Sequence, residues 1–319
     1  DEFTVILPEA GMEQALEVAK RILRGMENFG IKAPNGDALE SGMSIGLSIY
    51  PDHASSSKDL FMFADNMMYK AKKQGKNRVY IPTELDVIDV FKDISEKSLL
   101  ITKAIKEKRI TPYFQPMLRI DENGPAAVEV LSRIVLDDNS IMGAHEFIEI
   151  AESMGVIHNL DFVVMEKAFE QVNRENYQGL IFLNMSPRSV VLSEFLPEIK
   201  KLVRNAGIEP DRVVFEITER DTVKNMGMLQ KFVSNLKAEG FQLAIDDFGS
   251  GFSSFQYLKH FPVDFVKIEG EFIANMVNDT KDHAVVRSIT SLAHELNAKT
   301  IAEFVESAEV LEAVKAAMF

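Results

Sequence analysis

The sequence predicts an α/β protein, and the larger part of it is expected to be a barrel of mostly parallel strands. From Ile110 onwards, short apolar segments alternate with amphipathic ones, a pattern typical of parallel strands joined by helical crossovers. The number of these units favours a barrel over an open sheet. The first two strands are joined through the turn-like segment 121–124, which predicts a hairpin and therefore one antiparallel strand.

The elements of the barrel follow one another without a long interruption. Its predicted strands are the apolar segments 110–120, 126–135, 179–186, 212–218, 242–248, 264–269 and 299–305. Its predicted helices are the amphipathic segments 144–155, 160–174, 193–206, 222–239 and 281–297, and a further helix begins at Ala308. Residues 110–319 are therefore assigned to one barrel domain.

Residues 1–82 predict a smaller domain that mixes helices and strands. Its predicted elements are a strand at 4–7 ended by Pro8, a helix at 13–29, a turn at 35–37, a strand at 41–50 and a helix at 60–73. Residues 83–109 are charged, contain no glycine and carry regularly spaced apolar residues, which predicts a helical connector. This connector either transmits a signal between the domains or is a plain spacer.

Composition narrows the classes of function. The chain has 319 residues, of which 46% are hydrophobic, so it has room for two domains. It contains no cysteine, which excludes disulfides, thiolate metal sites and a cysteine nucleophile. The net charge of −14 argues against a nucleic-acid polymer as partner. We expect a cytoplasmic chain, whose full-length form can be tethered to the inner membrane by segments outside this sequence.

The strand at 242–248 ends in two adjacent carboxylates, Asp246 and Asp247, and a glycine-containing turn follows them. Two carboxylates this close repel each other unless a proton or a cation lies between them. Active sites of strand–helix enzymes lie at such strand ends. Alternatively, Asp247 caps the next turn and Asp246 is merely solvated, and these two residues alone leave both interpretations open.

Other strands repeat this pattern of a polar residue within an apolar run. These residues are Glu129, Asn184, Glu216, Lys267 with Glu269, and Glu303. Several carboxylates at neighbouring strand ends would repel one another strongly without cations. Oxygen ligands suit Mg²⁺ or Mn²⁺, and two such ions about 3.5–4 Å apart are the usual device for phosphodiester hydrolysis.

The same residues carry a resemblance to a known family. The motifs that carry it are Gln115-Pro116, Glu129-Val130-Leu131-Ser132-Arg133, Asn184-Met185-Ser186-Pro187, Glu216-Ile217-Thr218-Glu219, Asp246-Asp247-Phe248-Gly249-Ser250-Gly251, Lys267-Ile268-Glu269 and Ala302-Glu303-Phe304-Val305-Glu306. In this order they resemble the motifs of the EAL domain. The resemblance implies a TIM-like barrel with one antiparallel strand, whose active members hydrolyse cyclic di-GMP to linear pGpG.

The resemblance also implies a role for each matched residue. The implied metal ligands are Glu129, Asn184, Glu216, Asp246 and Asp247. Lys267 would orient the attacking water, Glu303 would assist as ligand or base, and Glu219 would steady the loop after Asp247. On the substrate side, Arg133 would contact a phosphate, Gln115 would contact a guanine, and Glu269 is the third residue implied there.

The sequence departs from the family pattern at several places. Val130 replaces an alanine, Glu269 replaces an aspartate, and Phe304 replaces a glycine near the catalytic mouth, where its ring needs space. We also expect the final strands of the barrel to lie beyond Phe319, outside this sequence. The Glu269 and Phe304 changes favour an alternative function, a catalytically silent cyclic di-GMP receptor. Retention of every implied metal ligand favours the enzyme.

The first segment resembles the second half of a GGDEF domain. The residues that carry this resemblance are Asp1-Glu2-Phe3, Ser44-Ile45-Gly46, Ala64-Asp65 and the run from Tyr69 to Arg78. It implies metal or catalytic positions at Asp1 and Glu2, and triphosphate contacts near Lys72 and Lys76, so GTP is a candidate ligand. Alternatively, the run 70–76 is only the solvated basic end of a helix. The resemblance of the barrel to the EAL domain further implies a homodimer.

Overall fold

The computed structural model describes residues 3–28, 31–32, 38–39, 42–120, 125–224, 226–249 and 261–317. The chain forms two compact units, Asp1–Lys97 and Ser98–Phe319. Within the described ranges, every helix is too short or too polar to cross a lipid bilayer.

The first unit combines helices with short strand pairs. Its helices are α1 (Met12–Asn28) and α2 (Ser57–Lys73), and its strands are β1 (Ile31–Lys32), β2 (Ala38–Leu39), β3 (Ile45–Gly46) and β4 (Val79–Tyr80). β1 and β2 are antiparallel, whereas β3 and β4 are parallel. The predicted turn at 35–37 lies outside the described residues.

Two strand predictions for this unit need correction. Residues 4–7 form no strand, and in the predicted strand at 41–50 only Ile45–Gly46 is assigned as strand in the described part. An apolar run becomes a strand only where a neighbouring strand supplies hydrogen bonds. Among the described residues, none pairs with 4–7, and the Ile6 side chain is largely exposed.

Helix α2 shows how local sequence sets its limits. Ser56 caps its start, because the Ser56 hydroxyl accepts a hydrogen bond from the amide of Asp59 at 3.1 Å. Phe63, Met67 and Ala71, spaced four residues apart, are buried. The connector is helical as predicted, since α3 spans Glu84–Lys106, and the division between the two units falls within it.

The second unit is built on an eight-stranded sheet. Its strands are β5 (Ile110–Leu118), β6 (Pro125–Val135), β7 (Ile141–Gly143), β8 (Leu180–Asn184), β9 (Val213–Thr218), β10 (Gln242–Phe248), β11 (Phe265–Ile268) and β12 (Lys299–Ala302). They follow the order β5-β6-β8-β9-β10-β11-β12, and β7 pairs with the outer end of β6. The path from β6 to β12 is parallel, whereas β5 and the short β7 are both antiparallel to β6. The predicted TIM-like architecture with an antiparallel first strand is confirmed, and β7 is a second antiparallel strand that was not predicted.

Helices cover the outer face of this curled sheet. They are α4 (Ala144–Ser153), α5 (Ile157–Arg174), α6 (Pro187–Val190), α7 (Phe195–Ala206), α8 (Glu219–Lys224), α9 (Met226–Ala238), α10 (Gly270–Asn275), α11 (Thr280–Glu295) and α12 (Ala308–Ala316). The main core lies between helices and sheet and is rich in buried aromatic rings, such as Phe147, Phe169, Phe195 and Phe215. The short helices α6 and α10 were not predicted, because so few residues show no helical periodicity.

Candidate active site

Two layers of side chains fill the inner face of the sheet. The lower layer is apolar and contains Ala127, Phe182, Val214, Ala244 and Phe265. Side chains two residues apart on a strand point to the same face. The next inward positions, two residues further along the same strands, are Glu129, Asn184, Glu216, Asp246 and Lys267. The polar residues of five strands therefore meet in one layer at the carboxyl ends of the strands.

Lys267 is the centre of the polar layer. Its side chain is only 2% exposed, and its Nζ lies 3.0 Å from Asp246 Oδ1 and 3.0 Å from Glu303 Oε1. The same nitrogen lies 3.3 Å from Glu129 Oε2 and 3.4 Å from Glu216 Oε2. One ammonium group thus neutralises part of the charge of four carboxylates, three on strands β6, β9 and β10 and one, Glu303, directly after β12.

The electrostatics of this layer favour cations. Burial alone would lower the pKa of Lys267, but the surrounding carboxylates outweigh burial and raise it above its usual value. Burial raises the pKa of Glu216 well above its usual value, in opposition to Lys267. Burial, opposed by Lys267 and supported by Asp246, raises the pKa of Glu303 to about 7. The carboxylates outnumber the ammonium group, so further positive charge would stabilise the site.

Three carboxylates lie close enough to bind one metal ion. Asp246, Asp247 and Glu303 each offer an oxygen within 4.8 Å of the others. Asp247 adopts a positive φ of 53°, and its amide donates to Asp246 Oδ1 at 3.0 Å, which turns its side chain back towards the sheet end. Burial, together with the charges of Asp246 and Glu269, raises the pKa of Asp247. The pKa values of Asp247 and Glu303 are thus raised mainly by burial, which disfavours their charged forms, and to a smaller extent by neighbouring carboxylates.

The donor set suits a divalent cation. Glu216 Oε1 is buried and has no hydrogen-bond partner among the described residues, so a strong acceptor is left without a donor. Asn184 Nδ2 donates to Glu129 Oε1 at 3.2 Å, which leaves the Asn184 side-chain oxygen as the atom available for a ligand. Carboxylate and amide oxygens are the ligands that hard divalent ions prefer. An acidic cluster able to hold a metal ion is therefore present.

Glu219 connects strand β9 to the turn after Asp247. Its side chain is buried, and its Oε2 accepts a hydrogen bond from the amide of Gly249 at 2.7 Å. Gly249 needs its positive φ of 107° for this turn. Glu219 Oε1 has no partner within the described part of the chain. The loop from Ser250 to His260 lies outside the described residues.

Comparison with known proteins identifies the architecture around this site. The sequence profile of the EAL domain matches residues 100–319. The chain belongs to the EAL domain family. A second profile, that of the GGDEF domain of diguanylate cyclases, matches residues 1–78. The tandem of a GGDEF region and an EAL domain, predicted from the sequence, is confirmed.

Relatives of this EAL protein come from several bacteria. The chain is 29% identical over 315 residues to the signaling protein YkoW of Bacillus subtilis, covering 97% of this chain and 39% of YkoW. It is 30% identical over 317 residues to the cyclic di-GMP phosphodiesterase PdeB of Shewanella oneidensis, covering 98% of this chain and 37% of PdeB. The chain therefore spans about two fifths of the length of these relatives.

A solved structure shares the fold of the EAL domain. The EAL domain of FimX from Pseudomonas aeruginosa, bound to cyclic di-GMP, superposes with a TM-score of 0.65 and 25% identity. The match covers 70% of this chain and 91% of the FimX domain.

The predicted substrate-side residues of the EAL domain lie along the rim. Gln115 is exposed on β5, opposite Glu129 on β6. The Arg133 guanidinium lies 5.6 Å from the centre of the Tyr113 ring, which is 43% exposed. Sequence reasoning missed Tyr113. Its position two residues before Gln115 on the same strand face is a signal that could have found it.

Two departures of this EAL domain from the family pattern lie close together. Phe304 has a positive φ of 50°, and its side chain is 61% exposed. Its ring lies directly against Gly270, which leaves no room for a Cβ there. The absence of a side chain at Gly270 thus provides the space that the ring needs. Glu269 is half-buried at the start of α10 and acts electrostatically on Asp247.

Another charged residue at this strand end was not predicted. Arg220 is exposed and follows Glu219 at the start of α8, and its positive charge lowers the pKa of Asp247, against the larger effect of burial. Its position next to Glu219 is the sequence signal that could have found it.

The residues predicted for the GGDEF region are not brought into one site by the described structure. Lys72 lies in the last turn of α2, and Lys76 lies in the turn after it, with a positive φ of 56°. Asp1 and Glu2 lie outside the described residues. The role of these four residues stays a prediction.

Proposed function

We propose that the EAL domain of this chain is a metal-dependent phosphodiesterase that hydrolyses cyclic di-GMP to linear pGpG. The observation that carries the proposal is the polar layer, in which carboxylates of β6, β9 and β10, together with Glu303 directly after β12, surround Lys267. The name of the relative PdeB, a cyclic di-GMP phosphodiesterase, supports the proposed reaction, and the FimX complex supports the proposed ligand.

The proposed cofactors are two Mg²⁺ or Mn²⁺ ions held by Glu129, Asn184, Glu216, Asp246 and Asp247. When bound, such ions supply positive charge that stabilises the negative charge developing on the phosphate during hydrolysis. The unpartnered Glu216 oxygen and the grouped oxygens of Asp246 and Asp247 support this assignment. Each is an acceptor that a cation can satisfy without movement of the strands.

Lys267 is proposed to orient the attacking water, and Glu303 is proposed to accept a proton from it. The carboxylates around Lys267 keep it protonated, so its Nζ is a donor that can hold the water by its oxygen. Glu303, with a pKa of about 7 before cations bind, is suited to accept the proton that the water loses. Glu219 holds the turn after Asp247 through Gly249 and so keeps Asp247 in place.

Substrate recognition is proposed to occur at the rim. Arg133 contacts a phosphate of the dinucleotide, Gln115 contacts a guanine edge, and Glu269 borders the second cation position. The partial stacking of Arg133 on Tyr113 supports this proposal, because it holds the guanidinium at the rim of the barrel.

Three further assignments rest on the family resemblance. We propose a homodimer, a cytoplasmic location for this part of the protein, and GTP as a ligand of the GGDEF region. The match of the GGDEF profile to residues 1–78 supports the third. Analytical ultracentrifugation tests the first, and calorimetry with GTP and Mg²⁺ tests the third.

The experiment that tests the main proposal is incubation of the purified chain with cyclic di-GMP in Mg²⁺ or Mn²⁺. Linear pGpG should appear in both metals and should be absent when a chelator is added. Binding of cyclic di-GMP without any product would overturn the enzyme and establish the alternative, a silent receptor. Neither binding nor product would overturn both.

A further inference from the structure

The turn that follows Asn184 is tied to a carboxylate of a distant helix. The chain leaves β8 at Asn184, passes the buried Met185 and enters the short helix α6 through Ser186. The Ser186 hydroxyl accepts from the amide of Arg188 at 3.2 Å and donates to Glu152 Oε1 at 2.6 Å. Glu152 lies near the end of α4, 34 residues earlier in the chain.

Two further contacts anchor the same turn. Arg188 Nη1 donates to the backbone oxygen of Glu152 at 2.7 Å, so the residue that supplies the carboxylate is itself held in place. The Ser189 hydroxyl, which is fully buried, donates to Asp161 Oδ2 of α5 at 2.8 Å. Ser186 and Arg188 therefore bond the start of α6 to α4, and Ser189 bonds it to α5.

Of these contacts, the hydrogen bond from Ser186 to Glu152 lies nearest along the chain to the polar layer. Met185 continues the β ladder, because its amide donates to the backbone oxygen of Glu216 at 3.0 Å, and Ser186 is the next residue. Only Met185 separates Asn184 from the anchored hydroxyl. The hydrogen bond from Ser186 to Glu152 therefore fixes the course of the chain two residues after Asn184.

We propose that Glu152 is a positioning residue for the cation site, acting through Ser186 to aim the side-chain oxygen of Asn184. The inference rests on the proposed function in one respect, that Asn184 is a cation ligand. It goes beyond that function because Glu152 and Ser186 lie outside the polar layer. Residues that orient metal ligands change metal affinity by about 10–100-fold when they are removed.

The chain offers both a conservative variant and a matched control. Glu152→Gln keeps an oxygen that can accept from Ser186, whereas Glu152→Ala removes the acceptor. Ser189→Ala removes the hydrogen bond to Asp161 that anchors the same turn, but Ser189 lies three residues further from Asn184 than Ser186 does. A purely structural role predicts that Glu152→Ala and Ser189→Ala behave alike.

The experiment is calorimetric titration of Mn²⁺ into the purified chain and its variants, with melting temperature and steady-state kinetics measured in parallel. We expect Glu152→Ala to weaken Mn²⁺ binding about 10-fold and to lower kcat at subsaturating metal, with KM for cyclic di-GMP nearly unchanged. Glu152→Gln should restore Mn²⁺ affinity to within about threefold of the wild type. Ser189→Ala should lower the melting temperature but leave Mn²⁺ affinity unchanged.

Equal Mn²⁺ affinity in Glu152→Ala and the wild type would overturn the inference, as would equal weakening in Ser189→Ala. A wild type that binds Mn²⁺ but yields no pGpG would overturn the proposed activity while the calorimetric comparison still decides the role of Glu152. A wild type that binds no Mn²⁺ would overturn the metal assignment and this inference together.

Discussion

Lys267 Nζ lies 3.0 Å from Asp246 Oδ1, and Asp246 also belongs to the group of carboxylates that can hold a metal ion. The same carboxylate is therefore shared between a fixed internal cation and a site for an external one. An ion that binds at Asp246 must share it with the ammonium group, which is already surrounded by acceptors. A substitution at Asp246 should therefore affect both the contact with Lys267 and the binding of a metal ion.

Asp246→Asn should lower the rate of cyclic di-GMP hydrolysis by more than about 100-fold, because the amide is a weaker cation ligand and a weaker partner for Lys267. The fold should persist, since the substitution preserves volume. Chromatographic detection of pGpG and circular dichroism provide the two measurements. Asp89→Asn, at an exposed position of α3, is the matched control and should retain full activity. Turnover within tenfold of the wild type would contradict the assignment.

Lys267→Met should destabilise the cation-free chain, because four carboxylates lose their common partner. Breaking a buried ion pair costs about 3–5 kcal/mol, and Lys267 is almost completely buried. The loss should be smaller at pH 5 than at pH 8, since protonation removes the repulsion between the carboxylates. Urea unfolding at both pH values, with and without Mn²⁺, measures this. An equal loss at both pH values would show that packing, rather than charge, is responsible.

Phe304→Gly and Phe304→Ala separate the effect of losing the Phe304 ring from the effect of its backbone conformation. Both remove the ring that covers Gly270, but only glycine adopts the positive φ without a steric penalty. The glycine variant should therefore be more stable than the alanine variant by about 1 kcal/mol. Thermal unfolding followed by circular dichroism measures the difference. Equal stabilities would mean that the turn relaxes when the ring is lost.

Asp161→Asn should change how stability depends on pH. Burial, opposed by the Ser189 hydrogen bond and supported by the charge of Glu152, raises the pKa of Asp161 to about 7. A raised folded-state pKa means that stability is highest below the unfolded value and is lost as pH rises towards 7. The asparagine variant keeps an acceptor for Ser189 but does not ionise.

The variant should therefore gain stability relative to the wild type between pH 4 and pH 8, on the order of 3 kcal/mol. Urea unfolding at several pH values tests this. Glu303 titrates in both proteins, so its contribution cancels in the comparison. Parallel stability profiles for the two proteins would contradict the prediction.

The polar layer could be predicted from the sequence because its members obey a strict local rule. Glu129 follows Ala127 by two residues, and Asp246 follows Ala244 in the same way, so a period of two marks the inward positions. Glu152 could not be found in this way. Its partner Ser186 is 34 residues away, and neither residue breaks an apolar pattern. Contacts between helix ends and distant turns depend on packing that one sequence does not reveal.

The fold was predictable to a similar extent. Each predicted strand of the barrel is present, because strands buried on both faces are nearly continuous apolar runs that are visible in the sequence. The predicted helix at 222–239 corresponds to α8 and α9, with residue 225 between them outside the described residues, and the structure starts α8 three residues earlier, at Glu219. The buried Glu219 carboxylate accepts from the amide of Gly249, a tertiary contact that the local helical pattern does not reveal.

The reversed direction of β5 has a consequence for how the barrel is joined to the rest of the chain. Ile110, where β5 begins, pairs with Ile134 near the carboxyl end of β6. Nearby, Lys103 of α3 lies 3.1 Å from Asp137, and Arg109 lies 3.2 Å from it. In a regular barrel the polypeptide enters at the face away from the chemistry. Here it enters beside the carboxyl end of β6, so the last turn of α3 lies next to the edge of the sheet at which the polar layer is found.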